Sequence, residues 1–134
     1  MAGRGFGTAT ELPLREQVAK ALVNKGVVLG QFGRSDEAAT IFDDVIARFG
    51  TATELPLREQ VAKALVSKGI TLGQLGRGRE AVAIYEDVIA RFGEAEDPAL
   101  KTIVERARRL KEMKNQSTKK PGPAAQRAKK SRKR

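Results

Sequence analysis

FGTATELPLREQVAKALV fills residues 6–23 and then, letter for letter, residues 49–66. The correspondence runs on past this block. Of the 43 pairs that link Phe6–Arg48 to Phe49–Arg91, ten differ and 33 are identical. Several of the differences keep size or charge, as in Val27/Ile70, Phe42/Tyr85 and Asp43/Glu86. A period of this length marks an array in which one unit buries its apolar face only by stacking on the next. Such arrays mainly offer surface to other molecules. Binding, rather than catalysis, is therefore the expectation.

Within a unit the apolar residues follow helical spacing. Leu14, Val18, Leu22, Gly26 and Leu29 lie at intervals of four, four, four and three, which is one face of an α-helix. Thr8 or Thr10 is placed to cap its start, Glu11 suits the positive end of the helix dipole, and Pro13 falls in the first turn, where its missing N–H is no loss. Gly33 supplies a left-handed turn at the end. A second helix starts at Ser35 or Asp36, carries Ala38, Ile41, Phe42, Val45, Ile46 and Phe49 on one side, and stops at Gly50. The second unit repeats both helices, over 53–76 and 79–93. A third long helix follows, with Asp97 as cap, Pro98 in first position and Leu100, Ile103, Val104 and Ala107 as its buried face. Its remaining surface is polar, as a terminal capping helix requires.

The stretch LVNKGVVLGQFGRSDEAATIFDDVIARFG (residues 22–50) resembles a tetratricopeptide repeat in a long-period form. Leu22, Gly26, Leu29, Gly33, Ala38 and Phe42 stand at the family's pattern positions, and Leu65, Gly69, Leu72, Gly76, Ala81 and Tyr85 stand there in the second unit. Gly50 and Gly93 occur where the family often has Pro, and Leu22 and Leu65 where it often has Trp. The period exceeds the usual length of about 34 residues and also fits the HEAT and armadillo range of about 40–47. The tetratricopeptide placement of Gly and Ala is the better match. Together these readings predict an all-α chain: a short α-solenoid of two helix-turn-helix repeats, a C-terminal capping helix, then a disordered basic tail. The expected divisions are a lead-in (1–10), repeat 1 (11–50), repeat 2 (51–93), the capping helix (94–116) and the tail (117–134).

The resemblance implies that the first helices of each unit line a concave groove. Carried over position by position, the groove residues are Lys20, Val23, Asn24, Val27 and Gln31, then Lys63, Val66, Ser67, Ile70 and Gln74, continued by Arg106 and Arg109 of the cap. Lys20, Lys63 and Arg106 recur at 43-residue spacing and form a basic stripe beside the row Val23, Val66, Val27 and Ile70. That pairing suits an acidic or amphipathic peptide segment. Ordinary solvated Lys positions copied by the repeat are the alternative reading. A clamp for a C-terminal carboxylate is not expected, because Val23 and Val27 stand where the family's clamps carry other residues.

Composition narrows the function further. The chain has no Cys and no His, which removes disulfides, thiolate chemistry, zinc-finger sites and the commonest general base. GQLGRGRE lacks the Gly-Lys-Ser/Thr of a phosphate loop. The acidic residues of the second helices read as solvated charge and i,i+4 partners. An enzyme, a cofactor and a metal are accordingly not expected, and no apolar run approaches the roughly 20 residues that span a bilayer.

The net charge of +10 is concentrated at one end. Nine basic residues and no acidic one fall between Lys114 and Arg134, so the preceding 113 residues balance to +1. KNQSTKKPGPAAQRAKKSRKR has no apolar periodicity and is expected to be disordered. Lys119, Lys120, Arg127, Lys129, Lys130, Arg132, Lys133 and Arg134 are candidates for contact with a polyanion. With no aromatic among them, such contact is blind to base sequence.

Two functional readings follow. The first is a protein-interaction module, a peptide-binding scaffold or adaptor without catalysis, placed in the cytoplasm. The second is a nucleic-acid-associated protein whose tail binds phosphates while the repeats recruit a partner. In a eukaryote the tail's paired basic clusters would act as a nuclear-import signal. Finally, Phe6-Gly7 matches the end of a second helix, and no cap covers the first unit. The face bearing Leu14, Val18 and Leu22 is therefore expected to be partly exposed and to favour self-association.

Overall fold

The structure, a computed structural model, describes the backbone of residues 2–119 and the side-chain surroundings of residues 11–116. Those residues form five α-helices and no strand: α1 (Ala2–Gln31), α2 (Ser35–Phe49), α3 (Leu55–Gln74), α4 (Gly78–Phe92) and α5 (Pro98–Lys119). Each helix packs on the next in sequence, and α1 also touches α3, as α3 touches α5. The first helices of successive units thus form one layer, and α2 and α4 are wedged between neighbours of that layer. α3 contacts all four other helices, which is why buried residues lie all around it instead of on one stripe.

The reversal after each first helix is set by glycine. Gly33 and Gly76 have φ of +80° and +79°, in the left-handed region where a side chain is strained. Around Gly33 the Arg34 N–H donates to the Leu29 carbonyl at 2.9 Å and the Gly33 N–H to the Gly30 carbonyl at 3.0 Å. This is a Schellman ending, which satisfies carbonyls that the helix leaves unpaired. Asp97 caps α5 as expected, its Oδ2 accepting the Leu100 N–H at 3.0 Å. Leu100, Val104 and Ala107 are buried and Ile103 partly so, as the sequence pattern predicts.

The aromatic residues of α2 and α4 hold each hairpin together. Phe42 and Tyr85 are buried against Gly26 and Gly69 of their own units, and Phe49 and Phe92 close the far end. The Arg15 guanidinium lies 6.0 Å from the Phe49 ring centre, and Arg58 lies 5.2 Å from that of Phe92. Both are cation–π contacts repeated by the 43-residue period.

Three boundaries differ from the sequence reading. Neither Thr8 nor Thr10 caps α1; the helix runs through both, and Pro13 lies in its interior, not in its first turn. In the second unit the same residues leave the helix after Phe49. There Glu54 is the N-cap, with extended backbone and no side-chain cap bond, and Pro56 does fall in the first turn. The cause is tertiary. Phe49 is anchored in the core, so the chain must reverse to bring α3 back along α2, and no packed helix imposes that reversal at residues 6–12 among the described residues. At the other end α5 continues to Lys119, so residues 117–119 are helical where a disordered tail is expected. The expectation for residues 120–134 lies outside the described residues.

Candidate functional site

Across the layer of first helices runs a depression built from both units and the helix α5 that follows them. A cavity of about 240 Å³ is lined by Gly26, Val27, Gly30 and Gln31 of α1, Phe42 of α2, Ser67, Ile70, Thr71 and Gln74 of α3, and Arg106 of α5. A second, of about 380 Å³, shares Ile70 and Gln74 with it and continues over Gly73, Tyr85, Leu110, Met113 and Lys114. The floor is formed by Gly26 and Gly30 of α1 and by the edge of the buried Phe42 ring, which is packed against Gly26. The rim is amide, hydroxyl and guanidinium. Such a surface has apolar ground for anchoring a side chain and donors for fixing a backbone.

Of the twelve groove residues expected from sequence, six line the first cavity: Val27, Gln31, Ser67, Ile70, Gln74 and Arg106. Lys20, Asn24, Lys63 and Arg109 are exposed but stand off it. Val23 and Val66 are corrected: both are buried in the core, so the apolar row is Val27 and Ile70 alone. The reason is that the first helices touch one another directly, which seals residues between them that a lone hairpin would leave exposed. Gly26, Gly30, Phe42 and Thr71 were missed as lining residues. The pairing of Gly26 with an aromatic sixteen residues on, repeated at Gly69 and Tyr85, was the signal that Phe42 lies next to the first helix at that level.

The electrostatics divide the basic stripe. Lys20 is occupied by Glu16 at 3.2 Å, one turn away on the same helix. Glu59 has its carboxyl raised from the ordinary value, first by burial and then by a hydrogen bond to Asp97 and the Asp97 charge, while the Lys63 charge opposes that shift. Arg106 alone of the three lines the cavity. Burial raises the Tyr85 phenol, and the Arg106 charge opposes that shift. Of the tail candidates, Lys119 ends α5, and Lys120, Arg127, Lys129, Lys130, Arg132, Lys133 and Arg134 lie outside the described residues.

The described residues contain no group of three or more metal-ligating side chains and no helix long and apolar enough to cross a membrane. Compared with known proteins, the chain matches no family model, no curated protein and no solved structure.

Proposed function

We propose that this chain is a protein-interaction module, a short α-solenoid of tetratricopeptide type whose first helices bind a peptide segment and which has no chemistry of its own. The observation that carries the reading is the depression over α1, α3 and α5, apolar at Val27 and Ile70 and rimmed by Gln31, Ser67, Gln74 and Arg106. Three successive helices of one layer, α1, α3 and α5, contribute to it, so an extended or helical ligand would contact all three at once. Arg106 favours an acidic residue in that ligand. The cytoplasm is the compartment this reading implies.

The test is selection from a random peptide display library on the intact protein. Selected peptides should lose binding to Val27→Glu and should lose their acidic preference on Arg106→Glu, both exposed positions that leave the fold intact. Peptides that bind both variants as well as the parent would refute the groove. The alternative, a nucleic-acid-associated protein, draws on the nine cations after residue 113, against a body balanced to +1.

A further inference from the structure

The layer of first helices carries one face three times, and only one copy of that face is open. Leu14, Leu57 and Leu100 are equivalent by the repeat, with exposures of 63%, 0% and 0%; Val18, Val61 and Val104 stand at 43%, 2% and 4%. On α3 this face is covered by α2, and on α5 by α4. On α1 it continues as Leu14, Val18, Ala21, Lys25, Val28 and Phe32, at alternating intervals of four and three, all exposed. That spacing is the seam along which a second helix packs.

The two covered copies share a polar feature of the covering helix, whose aromatics Phe42 and Tyr85 are seated on the glycines of their own units. α2 and α4 bury the same pattern: Ala38, Phe42, Val45 and Phe49 in one, Ala81, Tyr85, Val88 and Phe92 in the other. Each adds one acid beside its first aromatic that crosses to the next unit. Asp43 pairs with Lys68 at 2.6 Å, and Glu86 pairs with Lys111 at 3.4 Å. Lys25 is the third member of that lysine series. It forms no ion pair among the described residues and acts only through space on Glu37 of its own unit.

We infer that the α1 face is a docking site for an amphipathic helix of the α2/α4 type, one that sets an acid, as Asp43 and Glu86 do, opposite the lysine of the first-helix row and lays an apolar stripe beside it. The acid meets Lys25, and the apolar residues cover Leu14, Val18 and Val28. The partner is another polypeptide that presents such a helix, because α2 and α4 of a folded second copy are already enclosed between their neighbours. This site is separate from the groove and does not depend on it.

A fluorescent, lactam-stapled peptide of residues 78–93, GREAVAIYEDVIARFG, is the probe, titrated with the intact protein by polarisation. Saturable one-to-one binding is expected. Val18→Glu, at an exposed position, should weaken it at least tenfold with the circular dichroism unchanged. Lys25→Glu should weaken it several-fold, and a peptide carrying Glu86→Lys should recover that loss. Val27→Glu, on the groove side of α1, should leave it unchanged. Absence of binding, or binding indifferent to Val18→Glu, overturns the proposal; loss on Val27→Glu would move the contact to the groove. A dimer seen by sedimentation that Val18→Glu dissolves, with no peptide bound, would also overturn it, since a second copy would then be the occupant.

Discussion

The Phe42 ring occupies the space that a side chain on Gly26 would need: a Cβ built there lies 2.5 Å from Cε1 of the ring. Tyr85 stands over Gly69 in the same way, again at 2.5 Å. Each hairpin is therefore closed by an aromatic seated directly on helix backbone, and the glycine is required by contact, not by backbone conformation.

Gly69→Leu should cost about 1–3 kcal/mol or more, because the buried Tyr85 has nowhere to retreat. Lys68→Leu next to it should cost no more than about 1 kcal/mol, the value of its pair with Asp43. Combining Gly69→Leu with Tyr85→Ala should lose less than the sum of the two single losses, since both act on one contact. Thermal melts of the four variants check the ranking. The reverse order for Gly69 and Lys68 would place the helices in the wrong rotation.

At Gly33 and Gly76 the requirement is different, since a Cβ would meet nothing within 4 Å and only the positive φ resists it. Gly33→Ala should cost about 1–2 kcal/mol, and Gly33→Asn less, because Asn tolerates the left-handed region. Equal losses for Ala and Asn in denaturant titrations would mean that something other than φ is at work.

Glu59 and Asp97 make a pH-dependent contact between α3 and the start of α5. Burial, and after it the hydrogen bond to Asp97 and the Asp97 charge, raise the Glu59 carboxyl from its ordinary value of 4.5. A raised carboxyl gives stability that is complete below the unfolded value and is lost as pH rises through the folded one. Glu59→Gln should therefore be close to neutral in acid and stabilising at pH 7, by roughly 0.5 kcal/mol at this partly exposed site. Asp97→Asn should keep the cap and reduce the shift, leaving the part that burial causes. Melting temperatures from pH 3 to 8 decide this; a Glu59→Gln gain that is largest in acid would reverse the assignment.

Removing residues 120–134 should abolish binding to random duplex DNA, while the parent's affinity falls with salt at a slope of about −0.9 per phosphate neutralised. The melting temperature of the helical body should not move. A shortened protein that binds DNA with the parent's slope would locate the contact on the helices.

Much of the fold was legible because its determinants are local. The Gly33 and Gly76 turns, the Asp97 cap and the Leu100–Ala107 face are each fixed within a few residues of sequence. What could not be read is what depends on neighbours. Residues 6–12 and 49–55 are identical, yet the first run is helix and most of the second is turn, so no rule applied to that string could return both. Val23 and Val66 went into the core for the same reason. Their burial comes from helix-to-helix contact, which their spacing does not encode. Six of the named groove residues line the depression because exposed positions on a helix follow from its rotation, and the repeat sets that rotation.

The crossings Asp43–Lys68 and Glu86–Lys111 have a consequence for length. Because the junction between α2 and α3 is rebuilt between α4 and α5, residues 49–91 form a cassette with matching edges. A chain carrying that cassette twice would gain an interior unit and one more junction of a kind already present, with no surface to redesign. In a linear array each such junction adds its own increment of stability. The lengthened protein should therefore melt at higher temperature, and its groove should lengthen by one unit's width.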